Sequence, residues 1–144
     1  MNQNKLDKYS FLWSEVRLLI AAVALFIGGV PPVYVILRLP ALYGIITPLL
    51  TLCWIISGLA SGYLLYRWKR SGQKLFGSQT RNDSIAFWIS IISGLNLGLT
   101  GLIRVNLGMT LLSGYLVFII VALIYLATAV YLFRRWQAAG QKVF

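Results

Sequence analysis

The chain has 144 residues, of which 59% are hydrophobic and 11% are charged, and its mean hydropathy is +0.79. A soluble domain carries about 25% charged residues, so this composition excludes an ordinary soluble domain and indicates an integral membrane protein. The net charge of +10 could suggest nucleic-acid binding, but the basic residues stand at the ends of apolar runs, where anionic lipid headgroups attract them. We therefore expect one membrane domain, residues 1–144, that contacts anionic headgroups and binds no nucleic acid.

Four apolar runs are long enough to cross a membrane as helices, since a span needs about 20 residues for a hydrocarbon core of ~30 Å. They lie within Phe11–Leu37, Leu42–Trp68, Ser84–Ile103 and Leu111–Phe133. Their length and uniform apolarity exclude the alternating strands of a membrane β-barrel. The predicted fold is all-α, an integral membrane four-helix bundle.

The end of the first span has two interpretations, because the two prolines in residues 28–32 (GGVPP) must break or kink a helix. In one, a helix runs from about Phe11 to Ile27 and a non-helical segment follows as far as Leu39. In the other, a kinked span covers Leu18–Leu37. We favour the first, because Pro40 then opens the second helix.

The second and third spans carry small residues at helical spacing, which are Gly58, Gly62, Ser90, Gly94 and Gly98. Such a stripe lets two helix backbones approach closely. It packs helices either within one bundle or against another copy or subunit. The sequence does not decide between these.

A few polar side chains lie inside the spans. Asn96 is deep in the third span, and we expect its amide to bond another helix, because an unpaired amide in lipid is costly. Thr100, one turn further, could share that network. Glu15 is an acid near the start of the first span, where an ion pair at headgroup level is favoured over a proton or cation carrier. If the chain transports a solute, Glu15, Asn96 and Thr100 are the candidates for the pathway. Residues 82–84 (NDS) are expected to cap the third helix.

Residues 63–76 and 131–144 each end an apolar run and are identical at eight of fourteen positions. The identical pairs are Tyr63/Tyr131, Leu64/Leu132, Arg67/Arg135, Trp68/Trp136, Gly72/Gly140, Gln73/Gln141, Lys74/Lys142 and Phe76/Phe144. This recurrence predicts two tandem transmembrane hairpins, about 11–76 and 82–144, related by a pseudo-two-fold axis along the membrane normal. In each, we expect the glycine to end the helix and the final apolar residues to return to the interface. The expected interfacial anchors are Arg67, Trp68, Lys74, Arg135, Trp136 and Lys142.

The basic residues also predict an orientation. Arg38 and Arg104 flank the outer ends of the spans, on one side of the membrane. Arg17 is expected to extend its charged group towards the other side of the membrane. That side holds Lys5, Lys8, Arg67, Lys69, Arg70, Lys74, Arg81, Arg134, Arg135 and Lys142. The positive-inside rule then places both termini in the cytoplasm of a cell (inner or plasma) membrane.

Chemically reactive residues are scarce. The chain has no histidine, three acids and a single cysteine, Cys53, inside an apolar run. We therefore predict no catalytic, metal or cofactor site and no enzyme activity. The favoured function is a structural or accessory membrane subunit that acts through helix packing with partners or with itself. The alternative is a small oligomeric transporter or channel for an ion or small solute.

Overall fold

A computed structural model describes residues 3–37, 40–111 and 114–144 of the chain. Within these ranges the helices are, in chain order, α1 (Gln3–Phe26), α2 (Pro32–Ile36), α3 (Tyr43–Arg70), α4 (Arg81–Ile103), α5 (Leu107–Leu111) and α6 (Tyr115–Ala138). Of these described helices, α1, α3, α4 and α6 are long and apolar enough to cross a membrane. The chain is therefore an all-α four-helix bundle, as its composition predicts, and hydropathy indicates its membrane nature.

The long helices form two hairpins, α1–α3 and α4–α6, that pack across each other. Helices α1 and α4 lie side by side, while α3 packs mainly on α4 and α6 packs mainly on α1. Exchanging α1 with α4 and α3 with α6 leaves this pattern of helix contacts unchanged. We call the end where α1 and α4 begin and α3 and α6 end the base of the bundle.

The small residues of the predicted stripe bring α3 and α4 together. A Cβ atom on Gly58 would lie 2.7 Å from the Cα atom of Gly98, so the two backbones touch with no side chain between them. Gly94 lies against the Ser61 side chain of α3. Such close approach gains dispersion contacts that larger residues would prevent. The position of Gly62 differs, since no described atom lies within 4 Å of a Cβ placed there.

The first helix ends where the favoured interpretation expects. Helix α1 stops at Phe26, and Gly28 and Gly29 follow with φ angles of 86° and 83°, a conformation that glycine adopts without steric cost. The prediction was wrong at the other end, because α1 already begins at Gln3, in the polar segment. The segment after α1 was expected to be non-helical, and this was also wrong, because α2 occupies Pro32–Ile36.

Of two other boundary predictions, the one for Pro40 was confirmed and the one for the cap of α4 was wrong. Pro40 begins a short 3₁₀ turn, Pro40–Leu42, that leads directly into α3. The cap of α4 is Thr80, whose side-chain oxygen accepts a hydrogen bond from the Asp83 N–H at 3.2 Å, so residues 82–84 lie inside the first turn. Arg38, expected in the outer segment, lies outside the described residues.

The contact between Gly58 and Gly98 predicts that alanine is not tolerated there. Gly58→Ala should destabilise the bundle by about 1–3 kcal/mol, because the new methyl group overlaps the opposing backbone. Gly62→Ala is the matched control on the same helix, and it should leave stability unchanged or raise it, because alanine favours a helix by up to ~1 kcal/mol over glycine. Unfolding in detergent measures both, and equal stability of the two variants would contradict the prediction.

Candidate functional site

An ion pair at the base joins the helices of the first hairpin. The Asp7 carboxylate of α1 accepts hydrogen bonds from the Tyr63 hydroxyl at 2.6 Å and from Arg67 Nε and Nη2 at 2.9 and 2.7 Å. Tyr63 and Arg67 stand one turn apart on α3, so both reach the same acid. The side chains of Asp7 and Arg67 are only 6% and 16% exposed.

The second hairpin repeats this arrangement with Asp83 of α4. Its carboxylate accepts hydrogen bonds from the Tyr131 hydroxyl at 2.8 Å and from Arg135 Nε and Nη2, both at 2.8 Å. The Arg135 Nη2 atom also donates to Ser78 Oγ at 2.9 Å. Bidentate arginine–carboxylate pairs are directional as well as strong. The two ion pairs therefore fix the position of α3 against α1 and of α6 against α4.

Aromatic contacts at the base join one hairpin to the other. Phe11 of α1 lies 5.6 Å from Trp136 of α6, measured between ring centroids, and Phe87 of α4 lies 5.5 Å from Trp68 of α3. Both tryptophans are buried in the core. Trp68 and Trp136, which are expected to be interfacial anchors, thus pack against aromatic residues of the bundle at its base.

The chain leaves α3 and α6 through the same backbone turn. Gly72 and Gly140 have φ angles of 69° and 65°. The N–H groups of Gln73 and Gln141 each donate to a carbonyl of the last helical turn, Trp68 and Trp136, at 3.0 Å. This is the glycine-terminated end that the repeated motif predicts.

The residues after each turn fold back onto the core rather than into the interface. Leu75, Phe76 and Val143 are buried, and the Phe76 N–H donates to the Val143 carbonyl at 2.9 Å. The final segments of the hairpins thus bond to each other. Lys74 and Lys142, the remaining expected anchors, are exposed at the base.

The roles of Asp7 and Asp83 were not predicted, although the sequence carries a signal for them. Each begins the pattern Asp-x-x-x-Phe-x-x-Ser, which places Phe11 and Ser14 after Asp7 just as Phe87 and Ser90 follow Asp83. The hairpins thus have corresponding residues in their first helices as well as at their exits.

A charged side chain lies in the middle of the bundle. Arg17 is 5% exposed, and its guanidinium donates to Ser93 Oγ at 3.1 Å and to the Ser90 carbonyl at 2.8 Å. It follows Asp7 by ten residues, which places its Cα ~15 Å deeper along α1. The expectation that Arg17 extends towards the basic interface was wrong, since its charge is held by α4.

Arg17 and Ser93 occupy equivalent places in the two hairpins. Ser93 follows Asp83 by ten residues, just as Arg17 follows Asp7. The Arg17–Ser93 hydrogen bond thus joins α1 and α4 at the same distance along the chain from Asp7 and from Asp83. The hairpins differ there, with arginine in one and serine in the other.

Glu15 is also buried. The residue is only 4% exposed. Neither of its carboxylate oxygens has a hydrogen-bond partner in residues 3–37, 40–111 and 114–144. The predicted ion pair at headgroup level was therefore wrong. Among the described atoms, Ser14 Oγ and Ser61 Oγ in this region are likewise buried without a partner.

The polar group around Asn96 belongs to the opposite end of the bundle. The Asn96 side-chain nitrogen donates to Asn106 Oδ1 at 2.8 Å, and its oxygen accepts from the Gly108 N–H at 3.1 Å. Its partners thus lie in the α4–α6 connection, where Gly108 belongs to the short helix α5. The Thr100 hydroxyl donates to the Asn96 backbone carbonyl at 2.9 Å. No contact within the described part of the chain joins these residues to Glu15.

No protein-family model, curated protein or solved structure matches this chain. Within the described residues, no three or more His, Cys, Asp or Glu side chains come together in a group that could hold a metal ion.

The ion pair between Asp7 and Arg67 can be tested by a double-mutant cycle. We expect Asp7→Asn and Arg67→Gln to destabilise the bundle non-additively, with a coupling energy of about 1–3 kcal/mol, because each leaves the other buried group without its charged partner. Unfolding in detergent provides the four free energies. Lys69→Gln, an exposed base two residues from Arg67, serves as the control and should change stability little. Additive effects of Asp7→Asn and Arg67→Gln would contradict the pairing.

Proposed function

We propose that this small membrane protein is a structural or accessory subunit that packs against the transmembrane helix of a partner protein, and that it catalyses no reaction. The observation that supports this proposal is the uncovered position of Gly62. Its stripe neighbour Gly58 lies against Gly98 inside the bundle, whereas no described atom covers Gly62. A close-approach residue with nothing against it is typical of an interhelical contact surface.

The surroundings of Gly62 suit a partner helix. The open groove around it is lined by Leu65, Tyr66, Trp68, Lys69, Gln73 and Trp88. Tyr66 and Trp88 are exposed aromatic side chains on the outer surface of α3 and α4, and aromatic residues provide large rigid contact areas. Lys69 stands at the base end of the groove, where it can pair with an acid on the partner. A second copy of this chain is the competing occupant.

Filling the groove tests the proposal. Gly62→Leu should lower the yield of a co-purifying membrane protein roughly tenfold or more, because a clash of ~1.4 kcal/mol or more removes the close approach. Gly44→Leu is the matched control, since Gly44 is the other α3 glycine with no described atom within 4 Å, and it should leave the yield unchanged. Mild detergent extraction at native expression, followed by mass spectrometry, provides the measurement.

Two outcomes would contradict a subunit role. One is extraction of a homo-oligomer with no other protein present. The other is an equal yield of the partner from the wild type and from Gly62→Leu. In the first case the alternative function, a small oligomeric transporter, becomes the better proposal. Its support is Glu15, the buried acid without a partner among the described residues, because Asn96 and Thr100 are bonded near the α4–α6 connection.

We also propose that the base faces the cytoplasm, which places both termini there in a cell membrane. The basic residues support this orientation, because they concentrate at the base and the positive-inside rule favours the cytoplasmic side for them. Anionic headgroups of that leaflet are the expected lipid contact.

Cysteine labelling tests the orientation. In a Cys53→Ala background, Val105→Cys should react with a membrane-impermeant maleimide in intact cells, because that residue is exposed at the end opposite the base. Gln79→Cys, in the exposed loop between α3 and α4, should react only after lysis. The reverse pattern would contradict the proposed orientation.

A further inference from the structure

Glu15 is on the same side of α1 as Phe11. It follows Phe11 by four residues, about one helical turn, and Phe11 contacts Trp136 of α6. The residue is 4% exposed, and its Cα lies ~12 Å beyond that of Asp7 along the helix axis. The carboxyl group is thus well inside the span and shielded by the neighbouring helices.

The basic residue nearest to Glu15 in sequence interacts with it electrostatically, but it forms neither an ion pair nor a hydrogen bond with it. Arg17 is two residues away, and residues at that spacing point to different sides of a helix. Its Nη1 and Nη2 atoms donate to Ser93 and Ser90 of α4, and its Nε atom is buried without a partner among the described residues. Among described atoms, no nitrogen of Arg17 lies within ion-pair distance of Glu15.

The other charged and titratable groups of the surrounding helices are also bound elsewhere or lie out of reach. On α1, Lys8 donates to Gln141 at 2.9 Å. Tyr131 and Arg135 of α6 donate hydrogen bonds to Asp83. Tyr63 and Arg67 of α3 donate hydrogen bonds to Asp7. Tyr125 of α6 is close enough to interact electrostatically with Arg17, yet its hydroxyl makes no hydrogen bond to Glu15 in the described structure.

We propose that Glu15 is a proton-binding site inside the membrane domain, and that its proton exchanges with water. A buried carboxylate that accepts no hydrogen bond and has no cation in direct contact is strongly disfavoured. A proton removes the charge and needs no cavity. A metal cation would need several oxygen ligands around it, and no acidic cluster of that kind is present in the described residues. This inference does not depend on the proposed subunit role.

The composition of the chain allows a direct test without mutation. Its three acids are Asp7, Glu15 and Asp83, so Glu15 is the only glutamate. Cell-free synthesis with glutamate carrying ¹³C in the side-chain carboxyl therefore labels one acidic group. Infrared spectra of the labelled and unlabelled protein in phospholipid bilayers at neutral pH then isolate the absorption of Glu15.

We expect the label to shift a carbonyl band of a protonated carboxylic acid, and we expect that band to move when H₂O is replaced by D₂O. The band should disappear in Glu15→Gln and remain in Asp83→Asn, the control for an ion-paired acid. A label that shifts only carboxylate bands would overturn the proposal and indicate a bound cation or an ion pair. A band that does not respond to D₂O would contradict the proposed exchange of the Glu15 proton with water. Neither conclusion requires the variants to fold, because the labelled wild type carries both readouts.

Discussion

A buried aspartate near the start of the first helix of each hairpin determines how the bundle is arranged. Asp7 and Asp83 are shielded from solvent, so each needs several donors to compensate for lost hydration. A tyrosine and an arginine one turn apart on the following long helix supply them. Because these bonds are directional, they fix the axial position of α3 against α1 and of α6 against α4. The aromatic contacts between hairpins and the contact between Gly58 and Gly98 all depend on that alignment.

Much of this architecture is encoded locally and could be predicted. Apolar runs long enough to span a membrane predict the long helices. Gly72 and Gly140 predict the turns that follow α3 and α6, because left-handed backbone conformations favour glycine. Residues 3–10 were not predicted to be helical, since their polar side chains give no apolar signal. The helix there is held by Asp7, whose partners lie 56 and 60 residues away. Local patterns carry no information about such distant bonds.

The polar residues show a second limit. Tryptophan at the end of a membrane helix suits the lipid interface and a protein core equally well, and only the position of Phe11 and Phe87 on neighbouring helices decides for the core. Arg17 was expected to reach a basic interface because long side chains can do so. Its acceptors, Ser90 and Ser93, follow one another at helical spacing on a different hairpin. They become visible as acceptors only when α1 and α4 are placed side by side.

The contact between Arg17 and Ser93 pairs two different residues at corresponding positions of the two hairpins. Two identical, separate hairpins assembled in this arrangement would present the same residue from both sides. Arginine opposite arginine would repel, and serine opposite serine would leave no cation at the centre. Covalent linkage removes this restriction, because each half can carry a different residue at this position. The bundle behaves in this respect like a heterodimer whose two subunits cannot separate and cannot pair with identical copies of themselves.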